Sequence, residues 1–259
     1  MSAQPTDEIF VVDDDIFTSS EPHVLTEAEA REAGSLQQLH VDEIIYTAAA
    51  VARQFKTQCP MEVVNSVLAF AGVLLSFEAE STERSRGHAN MNDDYVTLTL
   101  PTREELQLPD GVSLDKCVLV VADCTSRDQG WASDGSEHNG TYRACWSWNE
   151  LAVSKRSADG EASEAVRVRF CPNLRANREF RHHRKYMRSP NELVENIALG
   201  DTVRIVLRSQ YPGWSNTASY GRLVVSFAVE FDDEFAFTDV PFPEISAAVA
   251  TSPIVCSLQ

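Results

Sequence analysis

Between Tyr95 and Phe231 the apolar residues recur at every second position, the period of a strand with one face buried. Seven segments carry it, at 95–100, 117–122, 141–153, 165–171, 180–187, 202–207 and 222–231, joined by connections rich in Gly, Asp and Pro. No stretch of helical period alternates with them. That excludes a βαβ dinucleotide fold and leaves a mainly β chain: an antiparallel, jelly-roll-like β-sandwich. With 259 residues, 43% of them hydrophobic, such a sandwich can bury a full core.

The residues ahead of the sandwich follow other rules. Residues 1–45 hold eleven acids and one base, Arg31, so 1–24 is expected to be an acidic, flexible tail. Within it Glu8, Ile9, Phe10, Val11 and Val12 form a short strip expected to add as a strand to a sheet edge, the alternative being a partner-binding linear motif. Thr26 and Glu29 have capping-box spacing and Gly34 stands as a stop, which predicts a short helix. From about 41 to 56, Ile44, Ile45, Ala48, Ala49, Ala52 and Phe55 recur at helical spacing. A second helix starts at Pro60 and runs to Gly72 with Val63, Val64, Val67 and Leu68 as its stripe. The expected division is a tail over 1–24, a helical unit over 25–80, the sandwich over 90–235 and a C-terminal tail over 236–259, with residues 83–87 a polar connector.

A net charge of −17 opposes nucleic acid and anionic membranes, and no apolar run is long enough to span a bilayer. Six cysteines without a C-x-x-C pair, and a start with no basic region or apolar core, lead to an expected cytoplasmic location, with the nucleus as the other compartment.

Candidate recognition residues cluster in the strand-rich half. Ser126, Asp128, Gln129, Gly130 and Trp131 form one loop; Tyr142, Ala144, Trp146 and Trp148 fall on one face of the strand expected at 141–153, with Trp146 and Trp148 expected in the core. Pro212, Gly213 and Trp214 have type II turn chemistry, so Trp131 and Trp214 are expected on exposed loops as platforms for a peptide, a sugar face or a cation. A basic segment follows Arg167 and Arg169 through Arg175, Arg178, Arg181, Arg184, Lys185 and Arg188. Its face is expected to dock the chain's own acids, in the N-terminal tail or at 232–234; the competing reading is a site for an anionic ligand, a phosphorylated peptide or RNA. His182 and His183 are adjacent on a strand and point to opposite faces, so no metal and no cofactor is expected. Ser126, Asp128 and His138 lie close in sequence without a nucleophile elbow, and no catalytic residue is assigned.

Taken together, S-x-D-Q-G-W (126–131), G-T-Y…W-x-W (140–148), His182-His183 and P-G-W (212–214) resemble a group of fungal-type proteins in which an F-box-like helix precedes a β-sandwich. The similarity covers roughly residues 59–231. An F-box typically opens with Leu-Pro-x-Glu; here Cys59-Pro60-Met61-Glu62 has Cys in place of Leu. The resemblance implies that Pro60, Glu62, Val63, Val64, Val67 and Leu68 meet a ubiquitin-ligase adaptor while the sandwich selects a protein or peptide client. The alternative is that the same stripe only caps the sandwich. Asp128, Trp131, Tyr142, Arg181, His182, His183 and Trp214 are the expected ligand-binding residues of a non-enzymatic recognition protein. The other readings are a lectin-like carbohydrate or small-ligand module and an anion or RNA binder.

Overall fold

The computed structural model describes residues 16–19, 41–133, 135–156 and 162–237. In chain order the elements are β1 (Ile16–Ser19), α1 (Val41–Phe55), α2 (Met61–Phe70), β2 (Leu74–Ser81), β3 (Ser85–His88), β4 (Met91–Thr99), α3 (Arg103–Leu106), β5 (Val112–Ser113) and β6 (Cys117–Arg127). They continue with β7 (Ser147–Arg156), β8 (Ala162–Pro172), β9 (Arg181–Arg188), α4 (Glu192–Glu195), β10 (Thr202–Ser209), β11 (Ser215–Ala228) and β12 (Glu230–Phe231).

One sheet has the order β1-β9-β6-β11-β2, with β3 beside the first half of β11; the other has the order β4-β10-β7-β8. Every pairing is antiparallel. Successive strands cross between the sheets so that β2-β11-β6-β9 faces β4-β10-β7-β8, the jelly-roll winding of two Greek keys. The core lies between them, where Val120, Leu151, Phe170, Val203, Ile205, Leu223 and Val225 are fully buried.

The sandwich starts earlier than the sequence implies. Leu74–Ser81 is a strand paired with Gly221 to Ala228, and Ser85–His88, expected to be a polar connector, pairs with Ser215 to Ala218. Leu75, Phe77 and Ala79 alternate, but acids and serines between them mask the period. Another correction concerns residues 141–146, which are irregular: Ala144 has a φ of +49°, and the strand begins only at Ser147. The expected strand of 8–12 and the helix after Thr26 lie outside the described residues, as do both tails apart from Ile16–Ser19. Those four residues extend the β9 edge, Ile16 opposite Lys185 and Ser19 opposite His182.

At the end away from the β10–β11 turn, α1 buries Ile45, Ala48, Ala49 and Ala52, and α2 buries Met61, Val64 and Leu68. The small alanines let the two helices approach closely. Asn65 fixes α2 to the sandwich: its Oδ1 accepts from Phe231 N at 3.0 Å and its Nδ2 donates to Phe231 O at 2.9 Å. Lys56 donates to the carbonyl of Phe235 at 3.0 Å. β11 has 14 residues; at about 3.3 Å each it separates this helical end from the opposite rim by about 40 Å.

Candidate functional site at the loop rim

Four connections meet at the other end: β3–β4, β6–β7, β8–β9 and β10–β11. Beneath them a closed polar ring joins the sheets. Asn149 Nδ2 donates to Ser126 Oγ at 2.8 Å, and Ser126 Oγ donates to Asn173 Oδ1 at 2.7 Å. Asn173 Nδ2 donates to Asn216 Oδ1 and Asn216 Nδ2 donates to Asn149 Oδ1, both at 2.9 Å. All four residues are buried. Because each amide has its partners, the ring costs little desolvation and pins β6, β7, β11 and the end of β8 to one another.

The S-x-D-Q-G-W stretch is the staple above that ring. Asp128 is buried; its Oδ1 accepts from Gly130 N at 2.7 Å and Asn177 N at 3.1 Å, and its Oδ2 accepts from Ala176 N at 2.7 Å. Burial pushes its carboxyl up to about 6 against the pull of those three amides. Gln129 accepts from Ser215 N at 3.1 Å and donates to Trp131 O at 2.8 Å, so with Asp128 it ties this loop to the β10–β11 and β8–β9 connections. Gly130 has a φ of +83°, and a Cβ there would stand 2.2 Å from Arg178 Cγ, so only glycine fits.

Trp131 follows directly and is 54% exposed. Its ring edge lies 3.6 Å from where a Cβ on Gly213 would be. Trp214 N donates to Tyr211 O at 3.1 Å across Pro212 and Gly213, whose φ of +87° gives the expected type II turn. Trp214 is half-buried beneath the Arg175 guanidinium at 5.4 Å. The two indoles expected on loops thus meet at one rim, Trp131 open and Trp214 partly covered.

The remaining expected ligand residues separate. Tyr142 and His183 bond to each other inside the rim, OH to Nε2 at 2.9 Å, and burial pushes the imidazole of His183 down to about 4. His182 lies on the outer face, with Nδ1 2.9 Å from Thr125 Oγ1 and Nε2 3.1 Å from Asp123 Oδ1. Burial opposes ionisation of Asp123, but hydrogen bonds from His182 and Arg184 hold its carboxyl below the usual range. Arg181 sits opposite Ser126 on the inner face, with Nε buried and unpartnered. Ser126, Asp128 and His138 do not assemble, since each bonds elsewhere. Among the described residues no group of three or more His, Cys, Asp or Glu could hold a metal ion.

Trp148 corrects another expectation. It is buried, but on the outer face of the second sheet, under Arg169 at 4.2 Å and Arg208 at 5.7 Å, with Nε1 donating to Glu150 Oε1 at 2.6 Å. Trp146, also expected in the core, is half-buried edge-on to Tyr211 at 5.1 Å. On that face Arg167 is answered by acids of its own sheet and Arg169 lies over the Trp148 ring; neither meets residues 232–234. Arg167 pairs with Glu150 at 2.9 Å and Glu164 at 2.6 Å, and Arg204 with Asp94 at 3.0 Å. Asn149, Asn173 and Asn216 escaped the sequence reading because a lone Asn in or beside a strand resembles any surface polar residue.

No protein-family model matches the chain, and no curated protein matches it. Among solved structures it is similar, at 9% identity and a TM-score of 0.25, to the enzymatically active domain of tailspike protein 4 from bacteriophage CBA120. That match covers 57% of this chain and 19% of the tailspike chain. It is also similar to arabinosyltransferase EmbB from Mycobacterium smegmatis, at 16% identity and a TM-score of 0.24, over 64% of this chain and 14% of that one.

Proposed function

We propose that this chain is a non-enzymatic recognition protein with an F-box-like layout, taking a protein or peptide client at the loop rim and a ligase adaptor at the helical end. The observation that carries the reading is Trp131: a large ring, 54% exposed, on a loop held by Asp128 and Gln129. A fixed aromatic surface loses little entropy on binding, which is the character of an interface anchor. A protein surface suits the rim better than a sugar, because both oxygens of Asp128 are already taken by backbone amides.

The helical end supports the adaptor half. α2 divides the stripe expected from the sequence: Val64 and Leu68 face in, while Val63 and Val67 are 47% and 42% exposed and Phe70 is 96% exposed. Val63, Val67 and Phe70 follow helical spacing, so one helix both caps the sandwich and presents an apolar row. The five described cysteines are all unpaired, as in a reducing compartment, which supports a cytoplasmic location. Among the described residues no helix is long and apolar enough to cross a membrane.

Site-specific photo-crosslinking tests the layout. A photoreactive side chain at position 131 is expected to capture one protein and at position 67 a different one; no discrete adduct at either position overturns it.

A further inference from the structure

With Arg167 answered by Glu150 and Glu164, and Arg204 by Asp94, positive charge without an acidic partner gathers elsewhere among the described residues. Thr217 on β11 lies opposite Arg86 of β3 on one side and Arg127 of β6 on the other. Asn216 points inward to the polar ring, so Thr217, Arg86 and Arg127 share the outer face. Phe180, just before β9, extends this row: Arg127 stacks on its ring at 4.7 Å and Arg84 at 5.6 Å. Arg127 Nη1 also donates to the carbonyl of Arg178 at 2.5 Å, and the Arg178 side chain passes over Gly130, next to Trp131.

Among the described residues none of these four arginines makes an ion pair, although Glu83 and Glu179 adjoin Arg84 and Arg178 in sequence. Arg84, Arg86 and Arg178 are exposed, and Arg127 Nε is buried without a hydrogen-bond partner. The guanidinium of Arg127 is pushed below its usual range first by burial and then by Arg84, Arg86 and Arg178, with Asp128 pulling the other way. Four like charges on an aromatic base, in a molecule of net charge −17, form a compact site for one multiply charged oxyanion.

Resting on the recognition reading above, we infer that the client carries a phosphate group, and that Arg84, Arg86, Arg127 and Arg178 bind this phosphopeptide mark beside Trp131. The patch is short and the rest of the molecule is acidic, so an extended polyanion such as RNA is repelled beyond it, whereas a single phosphate on a peptide is not.

The test titrates the full chain with inorganic pyrophosphate, a short Gly/Ser peptide bearing one phosphoserine, its unphosphorylated form, and oligouridylate. The phosphopeptide is expected to bind at least roughly tenfold more tightly than the unphosphorylated form, with pyrophosphate competing. The Arg84→Gln/Arg86→Gln variant, altered only at exposed positions, is expected to lose about that factor with an unchanged circular dichroism spectrum. Equal binding of the two peptides, undiminished binding by the double variant, or tighter binding of oligouridylate overturns the inference. Trp131→Ala separates the two readings: if it abolishes client capture while the phosphopeptide arm fails, only the phosphate inference falls, and if client capture is also unchanged, recognition at the rim falls with it.

Discussion

The hydroxyl of Tyr142 lies 2.9 Å from Nε2 of His183, joining the irregular stretch before β7 to the third residue of β9. His183 is fully buried, so a proton added to its ring is desolvated, and a backbone hydrogen bond with Arg181 offsets only part of that cost. Burial, then the neighbouring His182 and Arg181, hold the imidazole down at about 4.

A pH dependence follows from that shift. An unfolded histidine titrates near 6.5, so the stability His183 contributes is complete above that value and is lost as pH falls from about 6.5 through about 4. The loss amounts to roughly 3 kcal/mol by pH 4. Asp128 acts in the opposite sense: raised to about 6, its contribution grows as pH falls over the same window. The check is therefore the difference in urea-unfolding free energy between wild type and His183→Gln at pH 7.5 and pH 4.5, which is expected to shrink at the lower pH.

Removing the Asp128 carboxylate orphans the amides of Gly130, Ala176 and Asn177 together. Asp128→Ala is expected to cost roughly 2–4 kcal/mol. In hydrogen exchange those three amides are expected to speed up ahead of the core strands.

The asparagine ring acts as a unit. Asn173→Ala and Asn216→Ala are each expected to destabilise by roughly 2–3 kcal/mol, and the double variant by at least about 1 kcal/mol less than the sum. A double-mutant cycle by urea denaturation measures the coupling.

The two sides of α2 are expected to respond differently. Leu68→Ala empties a buried position and costs roughly 2–5 kcal/mol, whereas Val67→Ala at a half-exposed position stays within about 0.5 kcal/mol. Thermal melts of the two variants give the comparison.

The legible part of this fold was its periodicity. Alternation from Tyr95 to Phe231 implied the antiparallel sandwich, and the stripe around Ile45 and Ala52 marked α1 with its bounds nearly right. Where alternation is diluted by short polar residues, as in Leu74–Ser81, the signal faded and a strand was read as the end of a helical unit. At the site, Trp131, Gly213 and Trp214 were legible because Gly and Pro announce their turns. Asp128, Tyr142 and His183 drew notice by residue type, but type does not reveal that their polar atoms are spent inside the protein. Three of the four open arginines lie outside the dense run from Arg167 to Arg188, in which, among the described residues, Arg167 and Arg184 are paired with acids and Arg178 is not. The open charges come from Arg84, Arg86, Arg127 and Arg178, spread over nearly a hundred residues of sequence.

Quantitative capture of proteins from cell extract, with wild type and Trp131→Ala compared as baits, bears most directly on the rim as a recognition surface. The proteins held by wild type are expected to fall by roughly tenfold with Trp131→Ala while its melting temperature is unchanged. Identical capture by the two baits would contradict it.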